Sequence, residues 1–252
     1  MEFIDELVQR GLITEYHYEE TIARWVYSEN DFSYYDPKSD SWRFDWSGWD
    51  SLIEKTVAPP PLRRNPPSVL HLMDERDMRI LRQLTIDARE KKSVMAERAG
   101  VPAYHLSRRI RFYMKKNVID AFRVIVHRDA SKLLATLLFD CRCPIRVTER
   151  FAEALTHLPF QSTLIPVKEG FLLQTSIPPI DLPKLGTILQ KYCDELRVVW
   201  SDYDSSMRYW FWTEPYRDGE WISTREYMVT DVLKVLKEGS TVKKAIGKKG
   251  AE

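Results

Sequence analysis

Residues 103–118, AYHLSRRIRFYMKKNV, decide how the chain is read. At ~100° per residue, Leu106, Ile110, Tyr113 and Met114 fall on one side of a helix, and Tyr104, Arg108, Arg111 and Lys115 fall on the other. One face is built to pack, and the other presents cations and a phenol. Just upstream, Ser93 to Ala99 is predicted to form a shorter helix, separated by Gly100-Val101-Pro102. A short Gly-containing turn between two helices is the signature of a helix-turn-helix, whose second helix enters the DNA major groove. From Lys91 to Arg128 there are ten Lys and Arg against two carboxylates, Glu97 and Asp120, a net charge of +8. An ordinary solvated helix face would interleave both signs.

Further outward, the stretch is ordered in a way that matches a known family. Asp74-Glu75-Arg76-Asp77-Met78-Arg79-Ile80-Leu81, Asp87-Ala88-Arg89, Met95-Ala96-Glu97-Arg98-Ala99-Gly100-Val101, Leu106-Ser107-Arg108-Arg109-Ile110 and Asn117-Val118-Ile119 resemble the DNA-binding domain of Lrp/AsnC (leucine-responsive/asparagine) regulators. Two positions depart from the family pattern. Pro102 stands where a capping Ser is usual, and Asn117 stands where Gly usually ends the helix; Asn tolerates the left-handed conformation such a stop requires. The resemblance implies a sequence-specific transcription regulator. Tyr104, His105, Ser107, Arg108, Arg109 and Arg111 are then the expected groove contacts, with Lys115 and Lys116 on backbone phosphate.

After Val118 the periodicity changes. Val118 to His127 alternates as a strand, Leu133 to Arg142 reads as a buried strand, and Val147, Phe151, Ala154, Leu155 and Leu158 form a helix stripe. Gln161 to Pro166 and Phe171 to Ile177 are predicted strands. A helix follows with Asp181 as N-cap and Leu185, Ile188, Leu189 and Tyr192 inward, and Leu196 to Trp200 closes with a strand. The order βαββαβ is that of a ferredoxin-like unit. It is similar to the effector-binding and dimerisation domain of Lrp/AsnC proteins, which implies a homodimer or higher homo-oligomer and a small-molecule effector near the turn at Lys168, Glu169 and Gly170. That turn lacks the Asp residues of the family's Gly-Asp-x-Asp motif, which puts amino-acid sensing in question.

The ends of the chain differ from its middle. Residues 1–57 hold thirteen carboxylates against five Lys and Arg, a net of −8, together with Trp25, Trp42, Trp46 and Trp49. Trp200, Trp210, Trp212 and Trp221 cluster near the other end; sliding the chain by 185 residues brings Trp25-Val26-Tyr27 onto Trp210-Phe211-Trp212, and a further four-residue shift brings Asp50-Ser51-Leu52 onto Asp231-Val232-Leu233, which suggests a duplication. Residues 1–57 are therefore read as an acidic partial repeat of the C-terminal unit. Residues 58–72 form a linker whose five prolines exclude helix and central strand. The helix-turn-helix occupies 73–122 and the ferredoxin-like domain 123–200. An aromatic strand and helix fill 201–238, with Met207 to Glu214 as the strand and Tyr227, Met228, Val232, Leu233 and Leu236 on the helix. A basic tail fills 239–252.

The fold class is thus α+β: a (winged) helix-turn-helix, then a ferredoxin-like βαββαβ domain, with aromatic-rich α/β extensions at both ends. Composition limits the alternatives. With 44% apolar and 12% aromatic residues the chain can bury real cores, while no apolar run approaches the ~18 residues of a membrane span and the start lacks signal-peptide order. The expected location is the cytoplasm, away from membranes. Cys141, Cys143 and Cys193 read as buried thiols rather than zinc ligands, the five histidines are scattered, and no phosphate loop or nucleophile elbow is present, so no cofactor is expected. The leading expectation is a double-stranded-DNA-binding regulator that is not an enzyme. Two alternatives accompany it. The same resemblance extends to sirohaem decarboxylases, with His157 or His127 recruited, and the acidic first module suits a protein-interaction scaffold.

Overall fold

The structure is a computed structural model that describes residues 2–120, 122, 135–200 and 213–234. Its helices are α1 (Glu2–Gln9), α2 (Trp46–Lys55), α3 (Glu75–Ile86), α4 (Lys92–Ala99), α5 (Ala103–Lys115), α6 (Ile145–Leu155) and α7 (Leu182–Tyr192), with a π-helical turn at Glu226–Asp231. The strands are β1 (Val26–Ser28), β2 (Tyr35–Asp36), β3 (Ser41–Trp42), β4 (Ala135–Arg142), β5 (Ser162–Val167), β6 (Gly170–Ile177), β7 (Glu195–Trp200), β8 (Tyr216–Arg217) and β9 (Glu220–Trp221). Contacts divide the chain into two units. One joins Met1–Tyr18, Pro67–Phe122 and Arg208–Glu252, and the other joins Glu19–Pro66 and Arg123–Met207.

The second unit is a five-stranded antiparallel sheet in the order β1-β5-β6-β4-β7. Without β1, it is the ferredoxin-like arrangement that the βαββαβ order predicts. Alternation decides its faces: Phe171, Leu173 and Ile177 of β6 and Leu137, Phe139 and Cys141 of β4 are buried on the side that α6 and α7 cover. The helices contribute Phe151, Ala154 and Leu155 from α6 and Leu185, Ile188 and Leu189 from α7. Each large apolar side chain removed from water here stabilises the unit by roughly 1.5–3 kcal/mol. Asp181 does not act as the side-chain cap of α7; it ends a 3-10 turn and holds Lys184 at 2.8 Å. The expected strand from Val118 begins as irregular backbone through Asp120, and 123–127 lie outside the described residues, as does any wing there.

Residues ahead of the helix-turn-helix complete this sheet. β1 pairs with β5 in the register Val26↔Leu164 to Ser28↔Ser162, and the Ser28 hydroxyl donates to the Phe160 carbonyl at 2.7 Å. The α2 helix starts at Asp45, whose carboxylate accepts from Gly48 N at 3.0 Å, and buries Trp46, Trp49 and Ile53. Trp49 Nε1 donates to the Ala154 carbonyl at 2.8 Å, while Trp46 stacks on Phe160 with centroids 6.0 Å apart. At the rim, Lys191 Nζ lies 3.0 Å from Asp50 and the Tyr192 hydroxyl donates to the same carboxylate at 2.8 Å. Burial opposes the charge on Asp50, but these two donors outweigh it and hold its carboxyl below the usual range. The stretch 1–57, read as one module in the sequence, is split at Tyr18 by these contacts. Its Trp-rich part belongs to the sheet's core. The Pro-rich stretch is neither helix nor strand, as its prolines require, yet Leu62 packs on that core and the Arg63 carbonyl accepts from Arg24 N at 2.8 Å.

The turn expected near an effector has a structural reason of its own. Val167 pairs with Gly170, so Lys168 and Glu169 form a two-residue loop and are exposed. Gly170 has φ 143°, and a Cβ there would lie 1.9 Å from the Cys141 carbonyl oxygen. Only glycine fits. The cysteines are free, with Cys141 and Cys143 buried; the neighbouring Cys141 thiol is the first cause that pushes Cys193 up to about 12. Among the described residues no cluster of His, Cys, Asp or Glu could hold a metal ion, and no helix is long and apolar enough to cross a membrane.

The two ends share a local design. β2 and β3 pair Tyr35 with Trp42, and β8 and β9 pair Tyr216 with Trp221; the ring centroids are 5.5 and 5.4 Å apart. A helix begins four residues after each Trp, at Trp46 and at Arg225. The hairpins therefore set Tyr35 against Tyr216, 181 residues apart as are Asp50 and Asp231, and Trp42 against Trp221, 179 apart, rather than at the 185-residue spacing of Trp25 and Trp210. Trp210 to Trp212, the strand expected from Met207 and the basic tail lie outside the described residues, apart from Thr213 and Glu214, which are not strand. On the C-terminal helix Val229 and Leu233 are buried while Met228 and Val232 are exposed. The buried pair is four residues apart, one position on from Met228 and Val232.

Candidate nucleic-acid interface

Three helices, α3, α4 and α5, form the core of the first unit, with Ile80, Leu84, Met95, Ala96, Ala99, Val101, Leu106 and Tyr113 buried together. The α3 start is a capping box. Asp74 Oδ1 accepts from Arg76 N (2.8 Å) and Asp77 N (3.1 Å), and Asp77 Oδ2 accepts in return from Asp74 N (2.9 Å). Between α4 and α5, Gly100 takes φ 63°, the left-handed stop that lets the chain turn within two residues. Asn117, after α5, takes φ 55° in the same role. Pro102 caps α5 without a side-chain acceptor.

The expected site residues separate into three groups. Tyr104, Arg108, Arg111, Lys115 and Lys116 are exposed, and Tyr104 is 75% exposed. His105 and Ser107 are half-buried at the borders of that face, and the Ser107 carbonyl accepts from Arg111 Nε at 3.4 Å. Tyr104, Arg108, Arg111 and Lys115 fall within an arc of about 60° on a helix of ~100° per residue. That arc is a contiguous cationic stripe ending in a phenol.

Arg109 is placed differently from the other cations of α5. Its Nε donates to Asp77 Oδ1 at 2.6 Å, and its Nη2 donates to Asp77 Oδ2 at 2.8 Å and to the Leu72 carbonyl at 3.1 Å. The guanidinium also lies 4.1 Å from the Phe112 ring centroid. Burial works against its charge, but the Asp77 bonds outweigh it and raise its pKa. Its side chain is 15% exposed and that of Asp77 is 4% exposed, so this arginine braces the fold. The cause is position: Arg109 stands four residues before Tyr113 and shares its inward face. Met114, expected inward, is 41% exposed.

Sequence reasoning missed Asp77. Its signal was present as the Asp74-x-x-Asp77 spacing of a capping box. The Tyr113 hydroxyl donates to Asp77 Oδ1, and burial followed by that bond pushes the phenol's pKa up. Of the histidines considered for a tetrapyrrole enzyme, His157 is exposed in the turn after α6, and His127 lies outside the described residues.

No family model and no curated protein matches the chain. Among solved structures it is similar to an AsnC family transcriptional regulator from Agrobacterium tumefaciens (20% identity, 62% of this chain and 100% of that chain, TM-score 0.42). It is also similar to the leucine response regulatory protein LrpA of Mycobacterium tuberculosis (17% identity, 54% and 99%, TM-score 0.41) and to LrpC of B. subtilis (16% identity, 53% and 99%, TM-score 0.42).

Proposed function

We propose that the protein is a sequence-specific, double-stranded-DNA-binding transcription regulator of Lrp/AsnC type, acting as a dimer or higher oligomer. The observation that carries the reading is the exposed stripe of Tyr104, Arg108, Arg111 and Lys115 on the second helix of a helix-turn-helix. In such a fold the N-terminal residues of this helix reach base edges and its flanks meet phosphate. Arg108, beside Tyr104 and near the helix start, is the base-reading candidate. Arg111, Lys115 and Lys116 are further along the helix and serve the phosphate backbone. His105 and Ser107, at the borders of the stripe, contact the groove walls. Arg109 takes no part in contact.

Two bound helices would read two half-sites about one helical turn apart. Selection of fragments from sheared genomic DNA, followed by titration with the wild-type chain and Arg108→Ala, tests the proposal. The wild type is expected to prefer selected fragments, and the variant to lose about 1–3 kcal/mol of that preference. Equal, weak binding of both chains to every fragment overturns sequence specificity. Sedimentation of the complex counts the protomers per site.

A further inference from the structure

We infer that Asp77 is the positioning residue of the DNA-reading helix: its carboxylate fixes the rotation of α5 about its own axis and so decides which side chains face the groove. An ionised carboxylate offers about four acceptor positions. All four are taken: Oδ1 by Arg109 Nε and the Tyr113 hydroxyl, and Oδ2 by Asp74 N and Arg109 Nη2. One of these donors belongs to the α3 start and three belong to α5. The capping box of α3 and the orientation of α5 are therefore set by one side chain.

The α5 donors come from residues 109 and 113, four apart and hence on one stripe. Two anchors along one stripe, one of them a forked guanidinium, leave the helix no freedom to roll. Arg109 Nη2 adds a third fixed point at the Leu72 carbonyl, ahead of α3. The stripe of Tyr104, Arg108, Arg111 and Lys115 is centred about 150° away around the helix, since each residue advances ~100°. A roll of one residue position would replace Arg108 by Ser107 at the groove. A lysine at position 109 keeps the charge but has no fork, so it can hold the pair without holding the angle.

This inference rests on α5 being the helix that reads DNA, and its test separates the two claims. In the full-length chain, hydrogen exchange is measured on wild type, Asp77→Asn and Arg109→Lys, without DNA. The expected result is cooperative unfolding in all three, with faster exchange of the amides of 106–115 in both variants. Unchanged exchange there in both variants overturns the positioning role. The same proteins are then titrated against the tightest selected genomic fragment and against poly(dI-dC), across a series of salt concentrations.

The two variants are expected to lose about tenfold of the preference for the selected fragment while the salt slope on poly(dI-dC) stays at the wild-type value. A helix that is merely destabilised would weaken both DNAs alike. Preference for the selected fragment retained by both variants overturns the inference, because the angle of α5 then does not depend on the Asp77 carboxylate and the Arg109 fork. If wild type shows no preference but exchange changes as expected, the DNA reading fails and Asp77 still positions the helix.

Discussion

Replacing Trp49 by Ala separates a core element from an appended module, because the N-terminal segment supplies α2 to the sheet unit. The indole is 3% exposed, its Nε1 donates to the Ala154 carbonyl at 2.8 Å, and it stands edge-on to Phe151 and Trp46 with centroids 5.9 and 5.8 Å away. Truncating a buried Trp to Ala costs about 3–5 kcal/mol through lost transfer energy and the cavity left behind. Part of that comes from the Ala154 carbonyl, which loses the indole donor and keeps only backbone bonding at the helix end, where His157 N lies 3.1 Å away. Since a domain's whole stability is about 5–15 kcal/mol, the variant should bring the sheet unit close to unfolding. Urea unfolding, followed by far-UV circular dichroism and by tryptophan fluorescence, measures it. Trp25→Ala is the control: that side chain is 45% exposed on the neighbouring segment, and its loss should cost within about 1 kcal/mol. Equal, small costs for the two variants would refute the reasoning and return residues 19–57 to the status of a separate module.

Two other perturbations address the same unit. Gly170→Ala combines a φ of 143° with a Cβ 1.9 Å from the Cys141 carbonyl oxygen, so the β5–β6 turn should open at a cost of about 3 kcal/mol or more, read as a lowered urea midpoint. Stability should also fall in acid through Asp50. Its carboxyl is held below the usual range in the folded state, so its contribution is complete at neutral pH and is lost as the pH falls below about 4 through the folded-state value. Asp50→Asn should flatten that part of the wild-type pH–stability curve, and an unchanged acid limb would contradict the role of the Lys191–Asp50–Tyr192 cluster.

What the sequence made legible was local. The β4, β5, β6 and β7 strands and the α6 and α7 helices follow from alternation and helical stripes, and the ferredoxin-like order follows from their succession. Gly100 and Asn117 mark their left-handed stops because few residue types accept that conformation. The placement of β1 and α2 was not legible, since it depends on Leu164, Phe160 and Ala154, more than a hundred residues away. Nor does spacing alone tell an arginine that stays exposed from one that braces a fold. Arg108 and Arg109 are adjacent and chemically identical, and only the buried carboxylate of Asp77 distinguishes them.

The central claim is that the exposed face of α5 meets the DNA backbone as well as its bases. The most direct measurement is the slope of log Kd against log salt for the full chain on duplex DNA, compared with Lys115→Ala. Each neutralised phosphate contributes a slope of about +0.9 to log Kd, so the wild type should weaken steeply with salt, and the variant's slope should be shallower by about 1. A wild-type affinity independent of salt, or a slope that Lys115→Ala leaves untouched, would contradict the account.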